Sequence, residues 1–168
     1  MEDKNDFSIV VYDLDLLNML SSVLIPGGSP AVRLFESVKL KQVEMWNCNN
    51  TNTAHTISLE WLRTFPFGNK TSIHTDTALG SAVAAHLIVR PPKDSYAHVW
   101  LSGSDEPKPL FQMNVCYGTV IDITLSYVIN LNAQANNANV GAVPAFPPGT
   151  LFVPKIYGVL EPQAVNRP

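Results

Sequence analysis

An all-β fold in a single domain is predicted for this 168-residue sequence by three features. Apolar and polar side chains alternate with a two-residue period in many places, while helical periodicity is scarce. β-Branched and aromatic residues gather in short runs such as Phe7-Ser8-Ile9-Val10-Val11-Tyr12 and Val120-Ile121-Asp122-Ile123. Proline- and glycine-containing stretches separate those runs. No internal repeat or low-complexity linker divides the chain, so one domain is expected over residues 1–168.

The first strand is expected over Phe7–Tyr12. Asp15 then stands as an N-cap before Leu16, Leu20 and Val23, which recur at helical spacing and predict a short helix. Pro26-Gly27-Gly28-Ser29-Pro30 ends it, and a second helical turn fits Ala31–Glu36. Ser37–Trp46 reads as a long strand. Val38, Leu40, Gln42, Glu44 and Trp46 point one way and Lys39, Lys41, Val43 and Met45 the other, so its polarity changes face midway, as in a strand that passes between two environments.

His55–Arg63 alternates again, with Ile57, Leu59 and Trp61 on one face. Phe65–Ala78 reads as a long loop. Strands are expected at Val83–Val89, Tyr96–Leu101, Leu110–Val115, Thr119–Leu131 and Leu151–Leu160, with Tyr117-Gly118 as a tight hairpin turn. Asn132–Ala145 has no periodicity. Eight strands with unequal connections favour Greek-key crossings between two sheets. The predicted fold is therefore an eight-stranded antiparallel jelly-roll sandwich with one or two short helical turns after the first strand.

Composition narrows the function classes. Hydrophobic residues make up 46% of the chain, enough for a core and too many for a disordered tail. No window approaches the roughly 18 apolar residues of a membrane helix. Met1-Glu2-Asp3-Lys4-Asn5-Asp6 has the wrong chemistry for a secretory signal or an arginine-rich transit peptide. Cys48 and Cys116 are too few for a disulfide scaffold. With a net charge of −3 and a pI near 5.7 the segment has no strong electrostatic footprint for nucleic acid.

Charged residues are only 15% of the chain, and Asn, Thr, Ser and Pro take their place. Interface cores are depleted of charge, so such flanks suit a subunit covered by copies of itself. A secreted β-domain with an Asn/Thr-rich surface is the alternative.

Several passages carry a family resemblance through their order. Arg33–Trp46 is similar to the helix-to-strand passage of single-jelly-roll capsid proteins. Thr56-Ile57-Ser58-Leu59-Glu60-Trp61, Asp76–Ala82, Ala85–Ser95, Trp100 and Gly118–Ile123 continue the likeness. Together they resemble the shell domain of tombusvirus-like capsids, including those of some circular single-stranded DNA viruses, from about Phe7 to Val159. The resemblance implies a viral coat protein, not an enzyme, that self-assembles into an icosahedral virion around its genome, with no membrane partner. It also implies a basic N-terminal arm that binds genome phosphates; no Lys/Arg cluster stands in this sequence. Lys39, Lys41 and Arg63, with Lys70, Arg90 and Lys93, are the candidate nucleic-acid contacts, and an ordinary solvated surface is the simpler reading of each.

The same shells resemble one another in an Asp-x-Asp-x-x-Asp run that binds calcium between subunits. Asp13, Asp15 and Asn18 match that spacing, with Asn in place of the third carboxylate. Helix capping needs no metal and is the simpler reading. Calcium is the one cofactor implied.

Other chemistry finds little support. His55, His74, His86 and His98 lack the His-x-His pair of a metal-binding cupin and read as structural. There is no Gly-x-Ser-x-Gly elbow and no phosphate-binding glycine loop, and Cys116 reads as an ordinary buried thiol. Asn132-Ala133 matches the dipeptide at which nodavirus-related capsids cut themselves, a match that Asn-rich loops also give by chance. Trp46, Trp61 and Trp100 allow a carbohydrate-binding jelly roll as the alternative function, although the register of Trp46 and Trp61 with apolar neighbours favours burial.

Overall fold

The computed structural model describes residues 6–19, 21–23, 31–47, 54–62, 71–79, 83–103, 106–129 and 151–152. The predicted contents of Arg63, Lys70, Asn132–Pro148 and Val153–Leu160 lie outside them.

The chain is all-β, mostly antiparallel, with a single short α-helix among the described residues. Its elements are β1 (Asp6–Tyr12), α1 (Asp13–Leu17), β2 (Ser21–Val23), β3 (Ala31–Arg33), β4 (Phe35–Asn47), β5 (Ala54–Trp61), β6 (Ser72–Leu79), β7 (Ala85–Val89), β8 (Pro109–Cys116), β9 (Thr119–Ile129) and β10 (Leu151–Phe152). One principal sheet has the order β1-β8-β5-β6 and the other β7-β4-β9, and β10-β2-β3 form a small third sheet. Seven strands, rather than eight, therefore make up the two principal sheets among the described residues.

Alternation builds the core between those sheets. Ile57, Leu59 and Trp61 all face inward from β5 and are buried, as their spacing predicts. They meet Phe111 and Met113 from β8 and Val43 and Met45 from β4 in one cluster. Trp61 packs edge-on to Phe111 with ring centroids 5.5 Å apart. Burying side chains of this size contributes about 1.5–3 kcal/mol each.

β4 explains the midway change of face. Register shifts between Leu40 and Gln42, where Lys41 bulges out beside β9. Val38 and Leu40 before the bulge, and Val43 and Met45 after it, are all buried. An extra residue resets the two-residue alternation, so the strand serves one core throughout instead of passing between environments. Trp46 is thereby turned to the outer face, against the expectation of burial.

The structure corrects five further expectations. α1 starts at Asp13 rather than after Asp15, and Ser21–Val23 and Ala31–Arg33 are strands rather than helical turns. Ser72–Leu79, read as loop, is a full strand on the edge of its sheet. Its alternation is inverted: Asp76 and His74 share the inner side with Ile57 and Leu59, while Ile73 and Leu79 face out. Tyr96–Leu101 is a 3-10 turn over Tyr96–His98, followed by a single bridge between Leu101 and Val38. Ser95 closes the turn before it, its hydroxyl and backbone N–H both donating to the Pro92 carbonyl at 2.7 and 3.0 Å, and its own carbonyl accepts the His98 N–H at 3.1 Å. Finally, Tyr117-Gly118 joins strands of different sheets instead of closing a paired hairpin, with Gly118 at φ +83°.

Candidate functional site

The outer face of β7-β4-β9 gathers the most varied chemistry among the described residues. After the bulge, Glu44 and Trp46 point outward from β4, opposite Asp122 and Val120 on β9 and Ile88 and His86 on β7. His86 stacks on Trp46 with centroids 5.2 Å apart and planes 8° from parallel. Its Nε2 lies 2.7 Å from Oε1 of Glu44, whose Oε2 accepts a bond from Gln42 Nε2 at 3.3 Å. At the other end of the face stand Lys39, half-buried, and Lys41, exposed on the bulge. Exposed Arg90 leans on Gln42, its Nε donating to Oε1 at 3.5 Å. One strand therefore carries a basic end at Lys39 and Lys41 and an acidic end at Glu44, where Asp122 doubles the negative charge.

Three of the six sequence-predicted basic contacts gather on this face, Lys39 and Lys41 as neighbours on β4 and Arg90 across the sheet. Arg63 falls outside the described residues.

The proposed calcium oxygens sit around α1. Asp13 is fully buried, and its Oδ1 accepts the backbone N–H groups of Leu14 and Lys108, both at 2.9 Å. Its Oδ2 accepts the Tyr96 hydroxyl at 3.4 Å. Asp15 stands at the third helical position, and its Oδ2 accepts the Tyr12 N–H at 2.8 Å, the backward-reaching half of a capping box. Burial pushes the Asp15 carboxyl above its usual range, the Tyr12 bond opposes this and the nearby Asp13 adds to it. Asn18 is at the far end of the five-residue helix, its backbone N–H on the Leu14 carbonyl. This arrangement does not fit a calcium shell on the subunit, because Asp13 faces inward with both oxygens already held by protein donors. It fits capping and tethering.

The outer face of β1-β8-β5-β6 is almost free of charge. Gln112 donates to Ser8 at 2.6 Å, Asn114 donates to Ser58 at 3.2 Å, and the hydroxyls of Thr56 and Thr77 lie 2.9 Å apart. Half-buried Glu60, level with Gln112 and Ile73, adds a carboxylate to these hydroxyls and amides, and exposed Ile73 and Leu79 border them.

Sequence reasoning missed the roles of two residues. His86 reads as one of four unremarkable histidines, since its partners Trp46 and Glu44 are found only once strand register is known. Asp76, also inward on edge strand β6, accepts the His86 backbone N–H at 2.7 Å and so ties β6 to β7 across the sandwich. An acidic residue amid Thr alternation was its only trace. Trp61 lies in the core and Trp46 and Trp100 at the surface, so the three tryptophans do not form one platform.

No known family model matches this chain, and a comparison with curated proteins finds no significant relative.

Proposed function

We propose that the chain is the shell subunit of a viral coat protein: a jelly roll that self-assembles into an icosahedral virion around a nucleic-acid genome. Strand order is the observation that carries this reading. β8 returns to lie between β1 and β5, and β9 returns to lie beside β4, so successive strands cross between sheets in a Greek-key manner. Seven described strands in the orders β1-β8-β5-β6 and β9-β4-β7 support a jelly-roll reading, which counts eight.

The charge-poor outer face of the four-stranded sheet, on which Glu60 stands among hydroxyls and amides, supports self-association, because charge depletion marks surfaces that meet other protein. Weak contacts suffice where a closed symmetric assembly repeats them. Lys39, Lys41 and Arg90 supply a modest basic patch for genome phosphates. The role is structural, not catalytic.

Size-exclusion chromatography and negative-stain microscopy across salt and calcium concentrations test the proposal. Large symmetric particles are expected, and monomers under every condition would sink it. A second reading, a carbohydrate-binding jelly roll, draws on exposed Trp100 and on Trp46 stacked at the surface. Glycan binding lost on Trp46→Ala or Trp100→Ala, without particles, would select that reading.

A further inference from the structure

Two surface tryptophans share one face of the sandwich, at opposite ends of a basic run. Val38 and Leu101 exchange both backbone bonds, at 2.9 and 2.8 Å, in an antiparallel bridge, and both are buried. One step along that bridge Trp100 comes level with Lys39 and turns outward, 51% exposed. On its other side Lys39 pairs with Ser126 of β9. The outer face of β7-β4-β9 thus continues, past the end of β7, into Trp100.

From there along β4 the face carries Lys39, Lys41 on its bulge, Arg90 against Gln42 and finally the stack of Trp46 and His86. Seven positions separate Lys39 from Trp46, one of them bulged, so six strand steps span about 20 Å. The stack runs across the strands: a centroid separation of 5.2 Å with planes 8° from parallel is that of rings standing side by side on adjacent strands. The His86 side chain is 42% exposed, so the ring pair reaches solvent. Next to the basic run β9 contributes Thr124 and Ser126, two short hydroxyl side chains.

We propose that this face binds single-stranded nucleic acid, with bases stacked on Trp100 and on the Trp46–His86 pair and phosphates on Lys39, Lys41 and Arg90. Aromatic rings interleaved with cations match an unpaired strand, whose bases expose flat faces and whose backbone is anionic. A duplex hides those faces and gains only the attraction of charge. Glu44 and Asp122 interrupt the cations beside Trp46, and Glu44 is already engaged by His86 and Gln42. Both carboxylates repel phosphate and accept base amino groups, so that end favours a base over backbone. The inference rests on the genome-binding reading of Lys39, Lys41 and Arg90 and names its ligand: an unpaired strand, held without a fixed sequence.

Fluorescence anisotropy with labelled oligo-dC and oligo-rC of about 10 nucleotides tests it, the two sugars separating DNA from RNA as the source. Trp100→Ala should weaken binding about 5- to 100-fold and leave the slope of log affinity against log salt unchanged. Trp100→Phe keeps a ring and should recover most of the affinity. Trp46 is half-buried, so Trp46→Ala is read beside Trp46→Phe, which keeps the stack and should bind nearly as the parent does. A duplex of equal length and dextran sulfate should both compete poorly. Absence of binding, binding indifferent to both Trp→Ala changes, or equal competition by dextran sulfate overturns the proposal. Binding of a neutral glycan instead, lost in the same variants, overturns it in favour of the carbohydrate reading. Microscopy on the same samples separates the two inferences. Particles whose nucleic-acid binding ignores both tryptophans discard this platform alone, and ring-dependent binding without particles discards the shell alone.

Discussion

Asp13 and Lys108 stand 95 positions apart in the chain yet exchange two bonds: Oδ1 of Asp13 accepts the Lys108 N–H at 2.9 Å, and the Asp13 N–H donates to the Lys108 carbonyl at 3.0 Å. The ammonium of Lys108 lies 4.9 Å from the centre of the Tyr96 ring, whose hydroxyl returns to Asp13. A buried carboxylate thus ties the start of α1 to the approach to β8. Asp13→Ala strands the Leu14 and Lys108 donors, each orphan costing about 1–3 kcal/mol. A loss of about 2–4 kcal/mol is expected, and about half that for Asp13→Asn, which keeps one acceptor oxygen. Urea unfolding with an unchanged slope against denaturant checks both.

Asp15 gives a pH signature. Its carboxyl titrates above its ordinary value of 3.8, first because burial penalises the charge, with the Tyr12 bond opposing and Asp13 reinforcing the rise. A pKa raised on folding means that the protonated form favours the fold. The stabilising contribution is full below the unfolded value and declines as pH rises through the folded one. Asp15→Asn keeps an acceptor for Tyr12 but cannot titrate. The stability of the native chain relative to this variant should therefore fall as pH increases from about 3.8 upward, then level off. Denaturation midpoints at half-unit pH steps follow the difference; a difference independent of pH would refute it.

Trp61 separates packing from hydrogen bonding. Its ring is fully buried, and its indole N–H has no hydrogen-bond partner among the described residues. Trp61→Ala should cost about 3–5 kcal/mol through the cavity it opens. Trp61→Phe loses volume but no bond, and about 1–2 kcal/mol is expected from imperfect filling. Thermal and urea unfolding of the two variants rank them.

Two glycines isolate backbone strain from crowding. Gly118 sits at φ +83° with open space where a Cβ would go, so Gly118→Ala should cost about 1–2 kcal/mol from conformation alone. Gly103, at φ +84°, would set a Cβ 2.9 Å from Nη1 of Arg33 and 3.2 Å from Cδ1 of Leu17. Gly103→Ala should therefore destabilise more than Gly118→Ala in the same unfolding assay.

The basic patch has a salt test. If Lys39 and Lys41 each neutralise a phosphate, replacing both by Gln should reduce the slope of log affinity against log salt for single-stranded nucleic acid by about 1.4. Filter binding over a salt series measures it, and an unaltered slope removes both residues from the genome contacts.

Much of the fold was legible because burial leaves a periodic trace. The inward set of β5 and the apolar runs of β1, β8 and β9 needed only alternation and β-propensity. β6 was invisible for the converse reason: as an edge strand it turns Asp76 inward to bond a neighbouring sheet and Ile73 outward, so the usual sign of the pattern is reversed. The change of face in β4 was visible but its cause was not, since a bulge at Lys41 and a change of environment write the same sequence. The site fared less well. The sequence brought Lys39 and Lys41 together, but the Trp46, His86 and Glu44 grouping depends on register between strands 40 residues apart, and local spacing carries no record of that. At α1 the sequence drew attention to Asp13 and Asp15 as calcium oxygens or a cap, while their partners Lys108 and Tyr96 lay too far along the chain to be read.

The two-residue passage from Cys116 to Thr119 leaves no slack between layers. A sandwich whose sheets are stitched by so short a thread resists sliding, since any shear would have to stretch Tyr117 and Gly118 beyond their reach. A single protease nick at that point would release this one constraint while leaving every strand, the shared core and the other crossings between the sheets intact.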